Sequence, residues 1–599
     1  MHRPIFLFLL ATLVALVPYV SQAATPDEQV AVLLDEVWQY RLQEYPESAT
    51  RSGVHVANDR LTSISLADSA RRAAQSEAFL TRLRAIDPEA LGSAARLERD
   101  LLLRELSNNL AEHSFRQELL PIDGRSGFHI EFPELPDWVP LRTVKDYENY
   151  VARLRAFPAQ ARGYVELMRE GVRAGITPPA VILEGFEESI TAHLVSSPQT
   201  SLLYKPFKNF PATISPADQE RLTEAGRKAI AEAILPTYEF FLRFMTDEYV
   251  PACRTSVGAL ALPGGRDFYR FRVRKFTTLD TTPEEVHQRG LAEVQRIRSE
   301  MARVIERVGF DGDFAAFVQH LRTEPRFYAE SDEQLLAACA AILKRADGEL
   351  PTLFGALPRM PYGLKPVPAY IAPKTTAAYY MRPNGDGTKA GFFFLNTYDL
   401  RSRPLYMLEA LALHEAVPGH HLQIALQQEL EGLSPLRQNG GFTAFVEGWG
   451  LYAERLGLEM GFYEDPYSDF GRLSMEIWRA CRLVVDTGLH YNGWTRDEAI
   501  AFMTENSALS LHNIRAEVDR YIGWPGQALA YKTGELKIRE LRGLAEQRLG
   551  ERFDVREFHD VVLRNGAVPL DVLERLVNEW LEEQRVAHEA PAADSPIVR

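Results

Sequence analysis

The stretch His414-Glu415-Ala416-Val417-Pro418-Gly419-His420-His421 constrains this chain more than any other. It ends an apolar run, Leu405 to Leu413, that has the pattern of a buried helix. Three imidazoles and a carboxylate at the end of such a helix need partners, because buried polar groups without them are costly. A His-Glu pair followed by another His on one helix face is a way to present metal ligands and a base. In the regular spacing the second His lies four residues on. Here that position is Pro418, which ligates nothing.

On an unbroken helix His421 would return to the right face, but roughly 10 Å further along the axis. Two imidazoles that far apart cannot share an ion at about 2.0–2.1 Å. His420 on an unbroken helix would face the wrong way. The helix is therefore expected to be irregular between His414 and His420, with a bulge absorbing two residues. Pro418 lacks an N–H and its ring crowds the carbonyl of His414, while Gly419 permits unusual backbone angles. His421 becomes a neighbour, not a ligand.

A catalytic zinc site takes three protein ligands and keeps one position open. His414 and His420 supply two. Glu447 is the expected third, 27 residues after His420 and alone in an apolar, Gly-rich stretch. Its competing partner would be Arg437. Glu454, seven on, shares its helix face, giving two carboxylates directed toward the site. Glu415 would act as general base on a metal-activated water. A donor to the developing oxyanion is also needed, with Tyr521, Tyr531, His490 and His512 as candidates. Each of these is equally a packed aromatic or a satisfied core histidine.

Residues 1–23 carry Arg3, an apolar run from Ile5 to Val17 and a small-residue end at Ala23. That is the pattern of a cleaved secretory signal, so a secreted or periplasmic protein is expected, with no stable membrane insertion after cleavage. The chain has a net charge of −15, and loss of Arg3 with no acid leaves −16. Such a balance argues against nucleic acid as a partner. Cys253, Cys339 and Cys481 lack metal-type spacing and are expected as buried apolar residues.

Helical periodicity covers Gln29 to Leu42, Leu66 to Ala85, Ser93 to His113 and Val144 to Glu170, a wall or lid without concentrated chemistry. It continues from Pro178 to Pro251 with a loop at Leu203 to Phe207. Thr282 and Glu285 form a capping box that opens a helix reaching about Val308. Val367 to Ala372, Ala377 to Met381 and Gly391 to Asn396 are expected as short strands, the last of them, just before the His414 helix, as the edge strand that could pair with an extended substrate. After the helix bearing Glu447, further helices are expected at Asp469 to Tyr491, Thr495 to Ser507, Ile514 to Tyr521 and Gln527 to Arg548. No linker divides the chain, so 24–586 is expected to form one mostly α body, its active-site half at about 360–548, with a disordered tail at 587–599.

The segments HEAVPGHHLQ (414–423), FVEGWGLYAE (445–454), RLVVDTGLHYNGW (482–494) and RYIGWPGQALAYKTG (520–534) together resemble the bacterial DUF885 family. So do YPESATRSGVH (45–55), LPGGRDFYRFRVRKFTTLDTTPEEVHQRG (262–290) and GFFFLNTYDL (391–400). That family is grouped with gluzincin metallopeptidases. Its layout is similar to the oligopeptidase, angiotensin-converting-enzyme and Taq-carboxypeptidase families. The resemblance implies a large helical, zincin-like body with a deep channel over one zinc ion. It places His420 as second ligand, Glu447 as third, and the oxyanion tyrosine near Tyr521 to Tyr531. It also sets Asp486 and His490, four apart, near the site.

The expected function is a zinc metallopeptidase, of carboxypeptidase, dipeptidase or oligopeptidase type, acting on small peptides. Arg515, Arg520 and Lys532 are the candidates for holding a substrate carboxylate. The alternatives are a hydrolase of non-peptide amide conjugates of amino acids and a non-catalytic binder that keeps the fold. Retention of Glu415 speaks against the binder.

Overall fold

Threonines mark where several long helices begin. The computed structural model describes residues 24–589, apart from 370, 371, 373–375, 385, 386 and 388. In it, Thr25, Thr143, Thr282 and Thr495 each cap a helix and the acid three residues on closes a reciprocal box. Helices α1 (Pro26–Glu44), α2 (Leu66–Arg84), α3 (Ser93–Ser114) and α4 (Val144–Ala174) lie close to the expected runs. The chain then stays helical through two prolines. Wide π turns at Ile230–Ile234 and Met245–Tyr249 run up to Pro236 and Pro251, loosening the ladder that each ring would crowd. The expected loop at Leu203 to Phe207 is instead 3-10 helix, Leu202–Lys208, with Leu203, Tyr204 and Phe207 buried.

The second half adds α5 (Pro283–Arg307), α6 (Leu408–Glu415), α7 (His420–Glu429), α8 (Thr443–Leu456), α9 (Pro466–His490), α10 (Leu511–Gly523), α11 (Ala530–Leu549) and α12 (Leu570–Glu589). Helix α9 is the axis of the molecule, with nearly every residue from Ser468 to His490 buried. Its apolar positions, among them Phe470, Leu473, Ile477 and Val484, share one core with Val294, Ile297, Met301 and Val304 of α5. Each such fully buried side chain contributes about 1.5–3 kcal/mol. Helices α8 and α11 cross at Gly448 and Gly534, where a Cβ on either would meet the other's backbone.

Beside α6 lies a three-stranded sheet, β1 (Tyr362–Pro366), β2 (Ala378–Met381) and β3 (Gly391–Leu395). The order is β1-β3-β2, with β3 parallel to β1 and antiparallel to β2. Two expectations are corrected. The first strand is Tyr362–Pro366, with none among the described residues of 367–372, and β3 is the centre of the sheet while β2 is an edge. Phe393 and Leu395 of β3 pack against Leu408, Ala412 and Ala416, which fixes the sheet to the helix carrying His414.

The signal at 1–23 lies outside the described residues. The tail expected from 587 begins inside α12, and its remainder, 590–599, is likewise outside. Among the described residues no helix is long and apolar enough to cross a membrane. The three cysteines are buried and unpaired, as their sequence context predicts.

Candidate functional site

Helix α6 stops at Glu415 and α7 starts at His420, so the expected bulge is a complete break. The bond between Val417 and Pro418 is cis. Two backbone hydrogen bonds tie the break together, Gly419 N–H to the Leu413 carbonyl at 2.9 Å and His421 N–H to the Ala416 carbonyl at 2.9 Å. A Cβ on residue 419 would lie 1.9 Å from the His414 carbonyl oxygen, so only glycine fits. Trp449, buried on α8, donates its indole N–H to the Pro418 carbonyl at 2.8 Å.

The break turns His420 back toward His414. The two rings stand 4.7 Å apart, nearly perpendicular. The carboxylate of Glu447 lies between them, its Oε2 at 3.6 Å from His414 Nε2 and 3.7 Å from His420 Nε2. One ligand atom from each residue falls within 4.8 Å of the others. Four ligands around an ion at about 2.0–2.1 Å would stand roughly 3.4 Å apart, so the spacing fits a single metal ion. Glu447 does not pair with Arg437, which bonds Glu98 instead.

His414 is oriented from behind. Its Nδ1 faces Glu454 Oε1 at 2.8 Å, leaving Nε2 for the triad. Glu454 thus backs the histidine and is 3% exposed. Gly450, one turn before it, allows α8 to approach, since a Cβ there would sit 2.6 Å from the His414 ring. His421 faces the sheet. Its Nδ1 meets the Tyr380 hydroxyl at 2.8 Å and its Nε2 the Met360 carbonyl at 3.0 Å.

Electrostatics at the triad favour a cation. Burial alone would lower His414, but hydrogen bonds to Glu447 and Glu454 outweigh it and raise the imidazole to about 9. Burial pushes His420 down to about 4, with the charge of His414 adding to the effect. Burial would raise Glu447, but His414 and His420 hold it down at about 2. Burial and the Glu447 charge lift Glu415 to about 7, against the pull of His414. Among the described residues His420 Nδ1 has no hydrogen-bond partner.

His414, Glu415, His420 and Glu447 line a cavity of about 1920 Å³. Its walls combine residues 122–137 and 182–193 with the edge strand β2, α9 and α10. It exceeds the ~300–1,000 Å³ usual for small-molecule sites. Tyr531 also lines it, and the Tyr531 hydroxyl accepts a hydrogen bond from Arg520 at 3.0 Å, leaving its own proton free to donate. His512 is a lining residue as well.

The structure does not bring Tyr521 or His490 to this cavity. The Tyr521 hydroxyl accepts from Arg482 Nε at 2.9 Å and from Trp478 Nε1 at 3.1 Å, deep in the core. His490 accepts the Ala259 N–H at Nδ1 and faces the Tyr521 carbonyl with Nε2, at 3.0 and 2.9 Å. Its neighbour Asp486 bonds the Tyr269 hydroxyl and the Gly526 N–H. Lys532 is locked among Glu293, Glu476 and Glu535, and Arg515 is exposed. Sequence reasoning missed Arg479 and Arg482, which line the cavity from α9. Their signal was two arginines three apart in the otherwise apolar stretch from Ile477 to Val485.

Fold and site together define a mostly helical protein with a His-His-Glu group on the wall of a large internal cavity. The chain belongs to the family described as "Bacterial protein of unknown function (DUF885)", whose model matches residues 46–577. It is similar to the crystal structure of a candidate lipoprotein from Colwellia psychrerythraea, with 29% identity and a TM-score of 0.88, covering 94% of this chain and 100% of that one. A candidate lipoprotein of unknown function from Shewanella oneidensis shares the fold at 19% identity and a TM-score of 0.70, covering 93% and 100%. No curated protein matches the chain.

Proposed function

We propose that this protein is an extracytoplasmic, zinc-dependent peptidase of the gluzincin type that hydrolyses short peptides inside the cavity. The observation that carries this reading is the convergence of His414 Nε2, His420 Nε2 and Glu447 Oε2, beside Glu415 on the cavity wall. The donor set is the one found in catalytic zinc sites with two histidines and a glutamate. Carboxylates that raise His414, and two Nε2 atoms within 3.7 Å of one Glu447 oxygen, fit a cation at this point. The signal-like N-terminus, and relatives described as candidate lipoproteins, support a location outside the cytoplasm.

His414, His420 and Glu447 would hold the ion. Bound there, zinc supplies a Lewis acid and brings the pKa of a water toward ~7. Glu415 takes a proton from the attacking water and returns it to the leaving amine, a task suited to a carboxyl near neutrality. Tyr531, relieved of its acceptor role by Arg520, donates to the oxyanion. Edge strand β2 lines the cavity and gives an extended peptide a strand to lie along. Folded proteins are excluded because the site lies inside the molecule.

Metal analysis of the purified protein and a peptide-library digest read by mass spectrometry test the proposal together. One zinc per chain and cleaved peptides are expected. Glu415→Gln should retain zinc and lose turnover by about 10²–10⁴-fold. Unchanged hydrolysis in that variant would discard the mechanism.

A further inference from the structure

We propose that Arg479, Arg482 and Arg520 form a receptor for a free carboxylate, so that the cavity takes peptides by their C-terminus. The inference rests on the peptidase reading above and names its substrate class: peptides with an unblocked C-terminal carboxylate, cut within one or two residues of that end.

The argument begins with charge. Arg125, Arg482 and Arg520 all line the cavity and share one carboxylate, Glu517, at 3.8, 2.9 and 3.6 Å. Arg479 also lines it. Its nearest carboxylate, Glu454 at 3.6 Å, is already engaged by His414 at 2.8 Å. Four guanidiniums therefore face two carboxylates, one of which serves the triad.

Burial sharpens this excess. Arg479 is 5% and Arg482 2% exposed. Among the described residues Arg479 Nε and Arg482 Nη1 have no hydrogen-bond partner. A buried guanidinium with unmade bonds is costly unless something pairs with it. A carboxylate, which accepts at two oxygens, is the group that one unmade donor on each of the two guanidiniums matches. The forks are held still, with Arg482 stacked on Tyr531 at 4.3 Å and on Trp478 at 4.6 Å.

Position supplies the polarity. Arg479 and Arg482 are one helical turn apart on α9. Arg479 reaches Glu454 behind His414, and Arg482 reaches toward α10 and Glu517. The cluster therefore starts beside the triad and leads away from it. A carboxylate held there leaves only a short span of chain before the reacting bond.

The test uses the full-length, zinc-loaded Glu415→Gln protein, titrated calorimetrically with acetyl-trialanine and with its C-terminal amide. The free acid should bind at least tenfold more tightly, and adding Arg520→Gln should shrink that ratio to near one. Equal affinities, or no binding of either, would overturn the receptor. Wild-type turnover of both peptides alongside equal affinities would leave the peptidase reading standing alone. Discrimination without any wild-type turnover would keep the receptor and sink the peptidase.

Discussion

The indole of Trp449 and the carbonyl of Pro418, 2.8 Å apart, join the helix that carries Glu447 to the break that separates His414 from His420. Both groups are buried, so removing the donor leaves the carbonyl without compensation. Trp449→Phe keeps most of the ring volume and loses the bond. It should cost about 1–3 kcal/mol in denaturant unfolding. Competition with a chelator should show zinc held at least tenfold more weakly, because the bond sets the angle between the two histidines.

Gly450 offers a sharper test, since it supports the site by what it lacks. An added Cβ would press to 2.6 Å from the His414 ring. Gly450→Ala should displace the imidazole and lower zinc affinity by at least tenfold. Gly543 is the control, an exposed position within α11 where a Cβ meets nothing within 4 Å. Gly543→Ala should raise stability by about 0.5–1 kcal/mol and leave zinc content alone.

Glu454 fixes which nitrogen His414 presents. Glu454→Gln preserves the shape but removes the charge that favours an Nδ1 proton, and leaves Arg479 with less compensation. Zinc affinity should fall about 10–100-fold, the usual cost of losing such a backing carboxylate. Retention of full affinity would mean that the tautomer is set by something else.

The His414 to His421 stretch and Glu447 were legible because each asks a local question that sequence can answer. Pro418 forbids the regular helix, and a glutamate among apolar residues needs a partner. Long helices were legible from their periodicity and threonine caps. What escaped depends on packing between distant segments. Tyr521 and Tyr531 stand ten apart in one motif, yet α9 claims the first for the core while the second reaches the cavity. His490 resembled a catalytic histidine only because its true partners, Ala259 and the backbone of Tyr521, are remote in sequence. The strand Tyr362–Pro366 carries a glycine, a lysine and a proline, and gains its β conformation from pairing with β3.

His490 provides a pH test of that structural role. Burial pushes its imidazole from 6.5 down to about 3, with Arg254 and Arg272 adding to the effect. Tyr269 packs against the ring, and Asp486 lies one turn away, its carboxyl raised by burial to about 7. Between pH 6.5 and 3 the unfolded chain binds a proton at His490 that the folded chain refuses. The stabilisation from the neutral ring is therefore complete above pH 6.5 and is lost as pH falls through that window, by at most about 1.4 kcal/mol per unit. Asp486 acts with the opposite sign, so the comparison must be between variants. His490→Gln should cost about 1–3 kcal/mol at pH 7 from lost buried hydrogen bonds. Its penalty relative to the wild type should shrink when unfolding is repeated at pH 5, where the wild type has surrendered part of its advantage. Zinc content should not change. A penalty that stayed constant from pH 7 to 5, with zinc lost at both, would return His490 to the functional site.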